Sequence, residues 1–188
     1  MTSISIIGRG TMGQAIQSVF ERAGASVQLV GRDDAATGDV VVLAVPYAAL
    51  ADIAAQRQAE LAGKIVVDIT NPVDFATFDS LTVAPDASAA AELAAALPSS
   101  HVLKAFNTNF GATLASGVAG DQPTTVLVAG DDADAKASLI AAITPSGVKA
   151  LDAGSLKRAR ELEAIGFLQI SLAASEKIGW TGGFAVVA

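Results

Sequence analysis

The segment Gly8-Arg9-Gly10-Thr11-Met12-Gly13 carries three glycines at Gly-x-Gly-x-x-Gly spacing. Each has a task if the phosphates of a dinucleotide lie over it. Gly8 permits a tight turn, Gly10 leaves room for a pyrophosphate to approach the backbone, and Gly13 lets the following helix pack closely. The first turn of that helix offers unpaired N–H groups and a partial positive charge to an anion. Spacing alone is weak evidence, but the context is the required one. The β-branched run Ser3–Ile7 precedes the loop, and Met12, Ala15, Ile16, Val19, Phe20 and Ala23 follow at helical spacing. The competing reading is a tight turn that holds no ligand.

The second β-branched run ends at Val30, which puts Gly31 where NAD sites usually keep an acid for the ribose 2′-OH. Arg32 comes next and is suited to a 2′-phosphate, bidentately if geometry allows. Asp33 and Asp34 follow, near where a count of about 20 residues from the loop would place the NAD acid. Strand position is the better guide, so NADP(H) is expected. Arg9 is a second candidate phosphate contact; its other reading is a solvent-facing side chain.

Ligands of open α/β sheets lie beyond the carboxyl ends of strands. One such end reads Ala44-Val45-Pro46, where small Ala44 and rigid Pro46 would let a cofactor lie against backbone. The alternative is that Pro46 simply begins a helix. Another reads Thr70-Asn71-Pro72, where Asn71 would orient a carboxamide or carbonyl, or else only form a turn. A third reads Lys104-Ala105-Phe106-Asn107. There Phe106 and Asn107 would flank a flat ring and Lys104 would meet an anion; otherwise Phe106 is core and Lys104 a surface charge. No acid–base set stands out. His101, the single histidine, precedes its strand at the amino end, and Asp152 reads as a helix cap. No catalytic side chain and no metal site is expected. Hydride transfer to a flavin-like ring needs neither, because aligning the two rings does most of the work.

These positions require a scaffold that brings strand ends together. Apolar runs at Ser3–Ile7, Ser26–Val30, Asp39–Val45, Lys64–Ile69, His101–Phe106, Thr124–Ala129 and Val148–Leu151 do not alternate with polar residues, as expected of strands covered on both faces. Helical spacing between them at Tyr47–Leu61, Ser88–Leu97 and Asp132–Ile143 predicts an α/β fold, a Rossmann-type doubly wound, mostly parallel sheet. One connection, Gly31–Gly38, is too short for a crossover helix. A further helix is expected from Leu156 to about Ile178, followed by a Gly- and aromatic-bearing tail. This divides the chain into a dinucleotide-binding domain, 1–154, and a C-terminal helical appendage, 155–188.

The chain has 188 residues, a net charge of −7 and no cysteine. The acidic balance argues against nucleic-acid binding, and the lack of cysteine excludes disulfides and Cys-based metal or nucleophilic sites. The charge-free stretches Val40–Ala51 and Ala164–Ser175 are shorter than the roughly 18–20 apolar residues of a membrane span. The first residues read as a strand and not as a leader. A cytoplasmic protein without membrane association is expected.

Five segments occur here in the order found in one family: Gly8–Gly13, Ala44-Val45-Pro46, Val67-Asp68-Ile69-Thr70-Asn71-Pro72, Val102-Leu103-Lys104-Ala105-Phe106-Asn107-Thr108 and Leu151-Asp152-Ala153-Gly154-Ser155-Leu156. The chain resembles the NADPH-dependent reductases of the deazaflavin coenzyme F420, and is similar to the cytosolic domain of the STEAP metalloreductases. The resemblance implies a Rossmann domain with a C-terminal helical appendage, a homodimer, and NADP along Gly8–Gly13 with Arg32 at the 2′-phosphate. It also implies a nicotinamide near Pro46, Asn71 and Lys104–Asn107, with hydride passing to or from a flavin or deazaflavin as small-molecule electron acceptor. Two other functions stay open: a nucleotide-sensing module without turnover, and a dehydrogenase of a small substrate. The Trp180–Ala188 tail is expected to pack at a dimer interface or over the acceptor pocket.

Overall fold

The computed structural model describes residues 2–187; Met1 and Ala188 lie outside the described residues. In chain order the elements are β1 (Ser3–Ile7), α1 (Thr11–Arg22), β2 (Ser26–Val30), β3 (Val40–Leu43), α2 (Leu50–Leu61) behind a 3₁₀ turn at Tyr47–Ala49, β4 (Ile65–Asp68), α3 (Ala89–Ala96), β5 (His101–Lys104) and α4 (Gly111–Ser116). A small hairpin of β6 (Val118–Ala119) and β7 (Gln122–Pro123) follows, then β8 (Thr125–Gly130), α5 (Ala133–Ile143), β9 (Lys149–Gly154) and α6 (Ala159–Ala174).

Seven strands form one sheet in the order β2-β1-β3-β4-β5-β8-β9. The first five are mutually parallel. The order reverses between β1 and β3, and a crevice outside their carboxyl ends is the usual ligand position in such sheets. Helices cover both faces, which is why β3 is apolar throughout. Val40 and Val42 join the core that includes Ile16 and Phe20 of α1 and Leu139 of α5. Val41 and Leu43 join the opposite core with Leu50 and Leu61 of α2 and Leu93 of α3.

Three features add to or depart from the sequence expectation, the first within the expected mostly parallel sheet. First, β8 runs antiparallel to β5, pairing only Leu103↔Gly130 and Lys104↔Ala129, while β9 runs parallel to β8. The segment after β5 carries only the six-residue α4 and the hairpin, so it turns the chain back instead of crossing the sheet. Second, α6 ends at Ala174 and not near Ile178. Glu176 adopts φ 58°, its N–H reaches Ala173 O at 3.1 Å, and Lys177 N–H reaches Leu172 O at 2.8 Å, closing the helix in a Schellman arrangement. Third, Asp152 caps no helix: it lies in β9, and its Oδ1 accepts from Lys136 Nζ at 2.8 Å and Gly154 N–H at 2.7 Å.

The short connection from β2 to β3 has no helix. Side chains fasten it instead. Arg57 of α2 donates to Arg32 O at 2.6 Å and Asp34 O at 2.9 Å. Lys64 donates to Ala36 O at 3.0 Å and Gly38 O at 2.7 Å. Gln28 donates to Ala35 O at 3.1 Å, and Glu60 accepts from the Ala36 N–H. Gly38 lies directly on β1, where an added Cβ would stand 2.6 Å from Ser5 N. That close approach lets nine residues pass over β1.

Candidate functional site

The glycine loop joins β1 to α1 at the sheet's reversal point. Gly8 has φ 120°, and a Cβ there would lie 2.1 Å from Ala44 O. A Cβ on Gly13 would lie 2.2 Å from Gly8 O, so α1 rests on the backbone of the turn. Both glycines are therefore required by the protein itself. Gly10 is not. It has an ordinary extended φ of −76°, and nothing lies within 4 Å of its would-be Cβ. It is the N-cap of α1 yet supplies no side-chain cap, and no acid occupies the first turn. The N–H groups of Thr11, Met12 and Gly13 have no intrahelical partner.

Beside the loop a cleft of about 550 Å³ is lined by Gly8, Arg9, Gly31, Arg32, Val45 and Arg57, among others. Arg32 is exposed at the end of β2. Arg9 pairs with Asp34 at 2.7 Å. Ala44 and Val45 are half-buried between loop and cleft, and Pro46 is exposed ahead of the 3₁₀ turn. Arg57, which sequence reasoning missed, stands one helical turn after Ile53 on the same face of α2. That spacing was the available signal.

The ends of β4 and β5 hold a buried polar network. Lys104 Nζ, fully buried, donates to Asp68 Oδ2 at 2.8 Å, Glu163 Oε1 at 2.7 Å and Thr70 O at 2.6 Å. Lys104 is not the surface charge of the alternative reading: its ammonium is buried with three protein partners, two of them carboxylates. Glu163 of α6 also accepts from the N–H groups of Ala89 and Ala90 at the start of α3. Burial pushes the Glu163 carboxyl above its ordinary value, against the downward pull of Lys104.

Phe106 is fully buried. Its side chain is in the core, with its centroid 6.0 Å from that of Phe20, and its backbone is left-handed at φ 63°. This turn re-aims the chain so that Asn107 meets Asn71. Asn71 Nδ2 donates to Asn107 O at 2.8 Å, and Asn107 Nδ2 donates to Asn71 Oδ1 at 2.8 Å and Leu162 O at 2.9 Å. Asn107 Oδ1 and Thr70 Oγ1 are buried without a partner, and a ligand or a water is the usual explanation of such atoms. Pro72 and Ala105 are buried beside them. α6 is seated here by Gly166, where a Cβ would lie 2.3 Å from Asn71 Oδ1. Gln169 donates to Thr108 O at 3.1 Å and accepts from Phe184 N–H at 2.8 Å, and Trp180 packs on Phe110 with centroids 5.0 Å apart. The described part of the tail thus folds onto its own chain.

His101 begins β5 at its amino end, away from these groups, with Nδ1 2.8 Å from Asp132 Oδ2. Among the described residues, no group of three or more His, Cys, Asp or Glu is placed to hold a metal ion.

A mostly parallel sheet with an uncapped helix at its reversal point and a spare glycine over that helix is a Rossmann-type dinucleotide-binding fold. The family of F420-dependent NADP oxidoreductases matches residues 16–72. The F420-dependent NADP reductase of Methanocaldococcus jannaschii is 35% identical over 175 residues, covering 88% of this chain and 77% of the relative. The solved structure of a protein from Arthrobacter sp. FB24, provisionally assigned as an F420-dependent NADP reductase, has a TM-score of 0.85, full coverage of both chains and 25% identity. The metalloreductase STEAP3 of Rattus norvegicus is 36% identical over 126 residues, 67% of this chain and 24% of that relative. The chain belongs to the coenzyme F420-dependent NADP oxidoreductase family, and is an NADP-dependent oxidoreductase.

Proposed function

We propose that this protein binds NADP(H) across the carboxyl ends of β1–β5 and exchanges a hydride with a flavin or deazaflavin-like small molecule. The observation that carries the reading is Gly10. Neither backbone conformation nor protein packing calls for a glycine there, and it directly precedes the first turn of α1, whose N–H groups lack an intrahelical partner. A pyrophosphate fits that chemistry. The loop Gly8–Gly13 and the first turn of α1 hold the phosphates, with Ala44, Val45 and Pro46 as the neighbouring wall. Arg32, after Gly31, takes the 2′-phosphate in the 550 Å³ cleft. Asn71 and Asn107 orient the carboxamide end, for which the unpartnered Asn107 Oδ1 is an acceptor. NADP(H) supplies or receives the hydride; the protein's task is to align the rings and exclude water.

The acceptor class rests on the likeness to reductases that are named F420-dependent. Pairing of two copies through the exposed apolar residues of α6, Ile165 and Leu168, with the tail alongside, belongs to the same reading. So does a cytoplasmic setting. Residues 155–188 then act as an appendage that completes the Rossmann domain of 1–154.

Absorbance at the nicotinamide band, with F420, FMN, FAD and ferric chelates as acceptors, tests the function. Oxidation of NADPH by F420 or a flavin is expected. Tight NADPH binding without turnover by any acceptor would indicate a sensor, and turnover only with a small carbonyl or imine would indicate a dehydrogenase. Either outcome overturns the proposed acceptor.

A further inference from the structure

Asp34 lies four residues past the end of β2, yet its carboxylate is folded back to that end. Its Oδ2 accepts from Gly31 N–H at 2.9 Å and from Arg9 Nη2 at 2.7 Å. A Cβ on Gly31 would lie 3.0 Å from Asp34 Oδ2 and 3.1 Å from Arg9 Nη2. The strand-end position, where NAD sites carry an acid, is thus filled from a distance by one carboxylate and one guanidinium. The fold holds them there. Arg57 donates to the carbonyls of Arg32 and Asp34 and so ties the loop's backbone to α2. Both are half exposed or more, and exposed pairs of this kind contribute little to stability.

Given an adenosine end seated in this cleft, as proposed above, we propose that the Arg9–Asp34 pair selects between phosphorylated and unphosphorylated nicotinamide cofactors. With the pair closed, the second oxygen of Asp34 accepts from a ribose 2′-OH, and NADH is accommodated. With the pair open, Arg9 joins Arg32 on a 2′-phosphate, and Asp34 is left beside a group of like charge. Asp34 therefore works against NADPH, while Arg9 works for it. The balance between them, and not Arg32 alone, sets the preference.

Dissociation constants for NADPH and NADH, measured by calorimetry on the whole chain and on Asp34→Asn, Arg9→Gln and Arg32→Ala, test this. Asparagine keeps the acceptor for Gly31 N–H and removes the charge. Asp34→Asn is expected to raise the preference for NADPH over NADH by about tenfold, as removal of one nearby like charge at an exposed site would. Arg9→Gln is expected to lower it by a similar factor. An unchanged ratio in Asp34→Asn, or a shift toward NADH, overturns the role of the pair. Arg32→Ala separates this from the underlying reading. Equal loss of both cofactors there would defeat the 2′-phosphate assignment itself, whereas selective loss of NADPH beside an inert Asp34→Asn would defeat only the pair.

Discussion

Gly10→Ala and Gly13→Ala differ in what the protein itself would feel. At Gly10 the added methyl meets nothing within 4 Å and φ is −76°, so the native backbone accepts alanine. Loss of a glycine N-cap costs about 1 kcal/mol or less, and the stiffer unfolded chain returns about 0.4–1 kcal/mol. The net change is near zero, and Tm should move by no more than about 4 °C. At Gly13 the methyl would stand 2.2 Å from Gly8 O, a backbone atom, so α1 must move. Overpacking of that kind costs about 1–3 kcal/mol or more, a fall in Tm of roughly 3–12 °C. Dinucleotide affinity should show a different pattern. Gly10→Ala should weaken NADPH binding by about tenfold or more, one methyl in the pyrophosphate's place being equivalent to at least 1.4 kcal/mol. Thermal melts with calorimetric titration of NADPH, on both variants, read the two effects separately. A Gly10→Ala protein that binds NADPH as tightly as the parent would refute the reasoning, because the phosphates would then not lie over Gly10.

Glu163 gives a pH signature. Its folded carboxyl is held above the ordinary 4.5 by burial, so its contribution is complete below about that pH and is lost as pH rises through the elevated value. Asp39, Asp74, Asp132 and Asp152 are held below 3.8 by hydrogen bonds and lose stabilisation only as pH falls under that range, so the two windows are separate. Between pH 4.5 and 8 the parent should therefore lose Tm relative to Glu163→Gln as pH rises; an opposite trend contradicts the assignment. Lys104→Met leaves two buried carboxylates without their cation and should cost about 3–5 kcal/mol, visible as a lower urea midpoint; a change under 1 kcal/mol would mean that the network is not formed. Tyr47, the single tyrosine, is raised to about 12 chiefly by its hydrogen bond to Glu92, which its hydroxyl donates at 2.7 Å. Ultraviolet titration of the phenol should show this directly, and Glu92→Gln should bring it back toward 10.0; no difference between the two proteins would count against the bond.

The parallel half of the sheet was legible because its strands are covered on both faces and carry unbroken β-branched runs, as at Val40–Leu43. The glycine loop was legible because strand, turn and helix are contiguous. Its three glycines looked equivalent in sequence, however, and only the structure separates Gly10 from the two that packing requires. The reversal at β8 was not legible, since α4 and the hairpin are short and carry no period. Lys104 misled because its partners come from distant segments: Asp68 on β4 and Glu163 on α6. The same holds for Arg57, whose partners are the carbonyls of Arg32 and Asp34. Side chains that bond to the backbone of a remote loop leave no local pattern, so a nine-residue passage over β1 could be recognised as odd without revealing what fastens it.

The attachment of α6 bears on how the chain acquires its shape. Glu163, Gly166 and Gln169 engage the ends of β4 and β5 and the start of α3. During synthesis the earlier βα units emerge first, but Lys104 and Asp68 lack their third charged partner, and the amides at the start of α3 lack their acceptor, until residues near 163 leave the ribosome. The nascent protein therefore holds an unfinished polar pocket at its strand ends until α6 has emerged. α6 should exchange its amide hydrogens together with the central strands, as one cooperative unit.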